Sequence, residues 1–506
     1  MINGIVNRTI GVFGIAVVLH TSVNAQKTKK IEIINSDVIE YDEELGPDIQ
    51  KLIGNVEFEH DTYKMTCDSA YFSSKQIVDA FGRVHINQGD TLHLYGDYLK
   101  YTGEIKLAEV RDNVRLIKKD MYLETQFLDF DMNEDVGYYF HGGKIYNGDN
   151  TLKSSKGYFY SREDLFYFRD TVIIKNAQYT MYSDTLKYYT QTKEAHFLGP
   201  TEIVGEDDYI YCENGWYNTE TDISQFNKDA YLISGSQILK GDSLYYERDN
   251  GLGKAFNNVV IIDTVESVVL KGDYGYYLEE PYYALMTKKA EFMQFQDGDT
   301  LYMHADTIVS DLDTSGMYKV INAYHKVKLY RFDLQGKCDS MSYSFVDSII
   351  RLYTEPVIWS EDHQLTADYI EIHTKNNVID QVQMYSASFI IAMTDSIRFD
   401  QIKGKDMIGY FRDNELYQVD VKGNGQTIYF PLDDEELIGV NKAESSDLVI
   451  LFKDNKPDKI YFLNNPVATL YPPFDLPKEQ LYLNNFIWLD KYRPKSKEDI
   501  FIWVEE

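Results

Sequence analysis

Apolar and polar residues alternate along most of the chain with the two-residue period of a half-buried strand. The alternation is clearest from Gly82 to Tyr101, G-R-V-H-I-N-Q-G-D-T-L-H-L-Y-G-D-Y-L-K-Y. Val84 and Ile86 alternate with Arg83, His85 and Asn87. Beyond a turn at Gln88-Gly89-Asp90, Leu92 and Leu94 alternate with Thr91, His93 and Tyr95. The pattern predicts a strand that starts at the small-residue corner Gly82, a hairpin turn, and a second strand kinked at Gly96-Asp97, each with one apolar and one polar face. No helical period is sustained beyond a turn or two.

The same stretch returns along the chain. Gly54-Asn55-Val56-Glu57-Phe58 is followed by Tyr63 to Asp68, Asp112-Asn113-Val114-Arg115-Leu116 by Met121 to Asp129, and Asn258-Val259-Val260-Ile261 by Leu270-Lys271-Gly272-Asp273. Lys326-Val327-Lys328-Leu329 precedes Gly336-Lys337-Cys338-Asp339 in the same way. The kink aspartates Asp68, Asp97, Asp129, Asp184, Asp242, Asp273, Asp306, Asp339, Asp368 and Asp406 recur at about 30 residues, or about 60 across a degenerate copy, which gives roughly twelve units. Strands bent at a small residue or acid contribute to two facing sheets. The predicted fold is therefore all-β: an elongated antiparallel β-jellyroll, or folded-over sandwich, whose stacked repeats share one apolar lining.

Three regions follow. Residues 1–25 read as a signal peptide, with Arg8 before the apolar run Ile10 to Leu19 and Val23-Asn24-Ala25 at the cleavage positions. Residues 26–450 hold the repeats. Residues 451–506, where Pro466, Pro472, Pro473, Pro477 and Pro494 interrupt the pattern, read as a C-terminal cap over the last open edge, in which Trp488 and Trp503 are expected as ordinary packing of the cap in preference to a plug at the end of the core. A cleaved leader places the mature chain outside the cytoplasm.

Composition narrows the function. A net charge of −31 with no extended Lys/Arg cluster excludes a nucleic-acid partner, which needs a basic track. The 43 Tyr and 26 Phe favour strands. Cys67, Cys212 and Cys338 each precede a kink acid in copies far apart along the array, so they are expected as free, buried thiols. The ten His show no metal-ligand spacing; His85 and His93 share a hairpin, where solvated side chains are expected. No nucleophile elbow or phosphate loop is present, and kink aspartates that recur in unit after unit read as caps of the backbone at the bend. No enzyme activity, cofactor or metal is predicted.

The repeated G-N-V-x-φ followed by D-T-L-x-φ-x-G-D-x-φ-x-Y, where φ is apolar, resembles the OstA-like family, which is related to the periplasmic bridge protein of lipopolysaccharide transport. The likeness runs from Ile31 to Ile450 and is closest to multi-repeat OstA-like proteins of the Bacteroidota type, with Asp97-Tyr98-Leu99-Lys100-Tyr101 and Asp242-Ser243-Leu244-Tyr245-Tyr246 its best-preserved pieces. The resemblance implies a periplasmic protein that carries lipopolysaccharide between the inner and outer membranes, its acyl chains shielded in an apolar groove. The expected lining is Val56, Phe58, Met65, Val84, Ile86, Leu92, Leu94, Val114, Leu116, Val259, Ile261, Val327 and Leu329. Implied partners are lipopolysaccharide, related β-jellyroll proteins joined by strand addition at the edge Ile31 to Glu40, and the outer-membrane assembly complex. The rival reading is a structural or sugar-binding β-solenoid of the envelope with a dry, closed core.

Overall fold

A computed structural model describes residues 30–504 apart from 42–45, 119–120, 148–149, 207, 279–282, 297, 313–317, 376–377, 396, 413–414, 434–435 and 454–455. The expected signal peptide lies outside the described residues. Successive strands pair antiparallel with their neighbours, as in Ile49–His60 with Tyr63–Ser73, Ile77–Gln88 with Leu92–Thr102, and Leu107–Lys118 with Met121–Asp131. The chain divides into two compact units at Asp135/Val136.

Most of the long strands bend near the middle. Gly82 does not begin a strand, as the sequence suggested; it lies inside Ile77–Gln88, where Gly82 and Arg83 both take positive φ, at 71° and 44°. The pairs Gly54-Asn55, Asp112-Asn113 and Asn257-Asn258 do the same in their strands. Two consecutive left-handed residues insert one residue more than the facing strand supplies, a β-bulge that turns the chain. Pairing skips from Ile53/Ser69 to Val56/Cys67, which sets Gly54 and Asn55 against Asp68 alone. Glycine and asparagine tolerate left-handed backbone best, which is the physical content of the G-N-V motif.

The kink aspartates take a different partner from the one expected. Asp68 accepts a hydrogen bond from Arg83 Nε at 2.8 Å, Asp97 from Asn113 Nδ2 at 2.5 Å, and Asp242 from Asn258 Nδ2 at 3.1 Å. In each case the donor is the side chain of the second left-handed residue one strand on. A backbone cap is seen at Asp406, which accepts from Ser386 N at 2.9 Å. The recurring acid therefore fastens its bend to another, through a side chain at Asp68, Asp97 and Asp242 and through the backbone at Asp406.

Each bend divides a strand between two walls. In unit 1 the first wall contains 84–88 and 92–96, and the second 77–81 and 98–102. The walls face each other: His60 Nδ1 on the first lies 2.5 Å from Tyr101 Oη on the second, and Phe58 meets Phe72 with ring centroids 5.9 Å apart. Unit 2 repeats the plan. A cavity of about 30 Å³ there is lined by Phe292, Met303 and Leu329 from one wall and Tyr343, Ile350 and Ile372 from the other. That is room for water, not for an acyl chain.

The C-terminal region departs from expectation. The boundary at residue 450 falls inside the strand Val440–Lys453, and pairing continues through Lys456–Leu463 and Val467–Tyr471. Pro472 and Pro473 follow, and the chain then runs back across the outer surface of the first wall of unit 2. Leu483, Phe486 and Trp488 pack on Phe389, Ile391 and Phe399, while Leu489 and Tyr492 pack on Val357 and Trp359. Trp488 thus lies on an outer face against Phe399, ring centroids 5.1 Å apart, and Trp503 lies beside Lys337 at 5.0 Å; neither plugs the interior. Proline ends the pairing at Tyr471, as its missing donor requires, but the residues after it form a strap and not a plug.

Candidate functional site

The inward positions of the first wall stack into cross-strand ladders. In unit 1 the register pairs Ile33 with Phe58, Phe58 with Met65, Met65 with Ile86, Ile86 with Leu94, Leu94 with Leu116, and Leu116 with Leu123. The alternation forces this. With a side-chain period of two and an antiparallel register fixed by the bulges, every apolar position meets another on the same face. Five expected lining residues, Phe58, Met65, Ile86, Leu94 and Leu116, lie on this one ladder. Val56, Val84 and Val114 lie beside it at the bend, and Leu92 lies one step outward.

In unit 2 a comparable ladder runs from Leu152 through Ile174, Met181, Ile203, Ile210, Leu232, Leu239 and Ile261 to Leu270, Phe292, Met303 and Leu329. It contains the expected Ile261 and Leu329, with Val259 and Val327 at their bends. Twelve of the expected lining residues are buried; Ile261 is half-buried. The sequence did not single out Ile174, Ile203, Ile210, Leu232 or Leu239, although they obey the same alternation. Their copies lack the G-N-V signature by which the others were found.

Polar latches close the open side of the sandwich in unit 1. Lys106 Nζ and Asp61 form an ion pair at 2.5 Å, Tyr63 donates to Asp135, and His60 meets Tyr101. Burial pushes the Tyr101 hydroxyl well above its ordinary range, with the nearby Asp61 charge adding to the effect, so the hydroxyl keeps its proton. Behind these latches Ile86 and Leu94 are each 1% exposed. His85 and His93, expected as solvated, instead meet on the outer face, Nε2 to Nδ1 at 3.1 Å, with His85 stacked on Tyr95. Burial and then the neighbouring His93 lower the His85 pKa, which favours a neutral His85 at neutral pH.

Among the described residues no group of three His, Cys, Asp or Glu stands close enough to hold a metal, and no helix is long and apolar enough to cross a membrane. The edge strands Glu32–Asn35 and Val38–Tyr41 pair with Ile49–His60 on one side, and Ile34, Val38, Ile39 and Tyr41 are exposed.

Residues 28–184, which hold the first ladder and its bends, match the OstA-like protein family. This segment is OstA-like. Its G-N-V bends and their facing aspartates are the parts on which the resemblance in the sequence rested. Among solved structures, the chain matches the crystal structure of LptH, the LptA-homologous periplasmic component of the conserved lipopolysaccharide transport device from Pseudomonas aeruginosa. Identity is 10% over 28% of this chain and 95% of LptH, with a TM-score of 0.22, a level at which the likeness bears on neither fold nor function. No curated protein matches the chain.

Proposed function

We propose that this protein is a periplasmic carrier of lipopolysaccharide that shields acyl chains between its two walls on the way from the inner to the outer membrane. The observation that carries the reading is the apolar ladder that runs from strand to strand within each unit, the first of them on an OstA-like segment. One apolar side chain per strand, at the ~4.8 Å strand spacing, makes a track along which a methylene chain meets the same surface at every step. Sheltering a ~14-carbon chain from water is worth about 10 kcal/mol, enough to make a covered path necessary. The edge at Glu32–Asn35 and Val38–Tyr41, which among the described residues pairs on one side only, offers strand positions to a related sandwich protein, and the outer-membrane assembly complex is the expected recipient.

A closed envelope scaffold is the second reading, and the filled interior of unit 1 favours it. Native mass spectrometry of the protein taken gently from the periplasm separates the two. The carrier should emerge with bound lipopolysaccharide, or take it up when incubated with the purified lipid. A protein that stays lipid-free under both conditions would establish the scaffold.

A further inference from the structure

Burial along the ladder of unit 2 is uneven. At the bend the two walls touch throughout: Cys212, Ala230 and Val259 on one wall and Phe197, Leu244 and Ala255 on the other are buried, and a Cβ placed on Gly275 would lie 3.3 Å from Val259. One ladder step farther out the picture changes. Ile203, Ile210, Leu232, Leu239 and Ile261 are all half-buried, whereas Met181 before them and Leu270, Phe292, Met303 and Leu329 after them on the same ladder are buried, as are Ile86 and Leu94 in unit 1. The walls therefore meet at the bend and part beyond it over the strands Glu194–Val204 to Leu252–Asp263, a slot about 19 Å long at the spacing of stacked strands.

The opposite wall of this slot has a composition of its own. Register places Tyr188, Ala195, Tyr217, Ser224, Tyr246, Gly253 and Tyr277 in one ladder, a tyrosine alternating with a small residue at every strand. All four tyrosines are half-buried. The small residues leave gaps between the rings where buried aromatic or aliphatic side chains stand elsewhere. None of the inward positions named on either wall is charged, so what fits there is an uncharged chain. An aliphatic wall gives it methylene contact and the tyrosine rings an adaptable amphipathic one. Two contacts guard the mouth: Arg248 Nη1 donates to Gln178 Oε1 at 3.1 Å from one wall to the other, and Tyr217 donates to Asp222.

We infer that this slot in unit 2 is where lipopolysaccharide acyl chains enter and lie, and that the latched interior of unit 1 is not loaded directly from solution. The inference rests on the lipid-carrier reading and narrows it to one stretch of the array. Charge complementarity selects the occupant: an uncharged slot open to water takes the acyl chains and leaves phosphates and sugars outside the mouth.

The test uses the full mature chain with a photoreactive phenylalanine analogue placed singly at Leu239 or Ile210 in the slot, at Ile86 or Leu94 in unit 1, and at the outward His85. Each variant, confirmed folded by circular dichroism, is irradiated with purified lipopolysaccharide and, separately, with phosphatidylethanolamine vesicles. Adducts with lipopolysaccharide at the slot positions, at least about tenfold above those at Ile86, Leu94 and His85, are the expected result. Equal yields in unit 1 would overturn the slot while leaving the carrier reading intact. Adducts with the vesicles alone would assign the slot to phospholipid and overturn the inference. No adduct at any inward position would remove both readings. Gly253→Phe supplies a second check. Its backbone does not need glycine, its new Cβ would stand 3.7 Å from Tyr277, and the ring fills the slot. It should cut the yield at Leu239 by about tenfold with the melting temperature retained, and an unchanged yield would count against the slot.

Discussion

Cys67, Cys212 and Cys338 occupy the inner face at three bends, each buried and each free. Burial dominates their chemistry: it pushes the Cys67 and Cys212 thiols up to about 12 and the Cys338 thiol higher still. A thiol that keeps its proton is a poor nucleophile. Iodoacetamide at mildly alkaline pH should therefore leave all three unlabelled in the native protein and label them after denaturation, as read by intact mass; labelling of the native chain would show that the bends open. Asp400 is the residue at which burial conflicts with charge. It lines a small interior cavity together with His363 and accepts Phe430 N at 2.9 Å, yet burial raises its carboxyl from 3.8 to about 6. Since the folded pKa exceeds the unfolded one, the folded chain holds a proton that the unfolded chain releases. The stabilisation is full below about pH 4, fades as pH rises through 6, and is absent above. Asp400→Asn should gain on the parent over that window, to a plateau of about 3 kcal/mol. Thermal melts of both proteins from about pH 4 to about pH 7 measure the difference, and a gap that does not change with pH would show that Asp400 is solvated.

Among elements, the C-terminal strap has the most unusual means of attachment. Gln401 donates from Nε2 to Leu481 O and accepts from Leu483 N, both at 2.8 Å. Gln364 repeats the arrangement on Ile487 O at 2.8 Å and Leu489 N at 2.7 Å. Each buried amide thus bonds the peptide groups on either side of one strap residue, Tyr482 or Trp488, as a neighbouring parallel strand would, and the apolar outer residues between them gain a cover. Gln401→Ala leaves those strap groups without their partner and should cost about 1–3 kcal/mol. Hydrogen exchange at Leu483 and Leu489 should quicken, first in the Gln401 variant and more widely when Gln364 is also replaced; unaltered exchange would mean that packing alone holds the strap. Its position was not legible in the sequence. The prolines announce where pairing stops, but a polar residue such as Gln401, alternating with apolar ones in a strand, reads as solvent-facing until the segment that covers it is known.

At the scale of the molecule, charge and apolarity are separated by the alternation itself. Among the described residues charge lies mainly on outward positions, loops and bends, with Asp400 an inward exception, while the named inward ladders of the slot and of unit 1 carry none of it. The strand period, the recurrence of the bends and the inward face of nearly every named position follow from the sequence, because a two-residue period and the preference of glycine and asparagine for left-handed backbone act within a few bonds. So do the free cysteines, whose place in the repeat keeps them apart. Tertiary structure alone decided three things. The bend acids bond to the next strand's side chain, because the donor comes from a residue some sixteen positions away in sequence but adjacent in register, as for Asn113 with Asp97. The tail lies along an outer face and not across an end, because its partners span Tyr302 to Lys442. And Ile86 and Ile261, alike in pattern, differ in exposure. The distance between two walls is fixed by what fills it and what latches its rim, Asp61 with Lys106 in one unit and small residues between tyrosines in the other, and alternation along a single strand carries no record of the wall opposite.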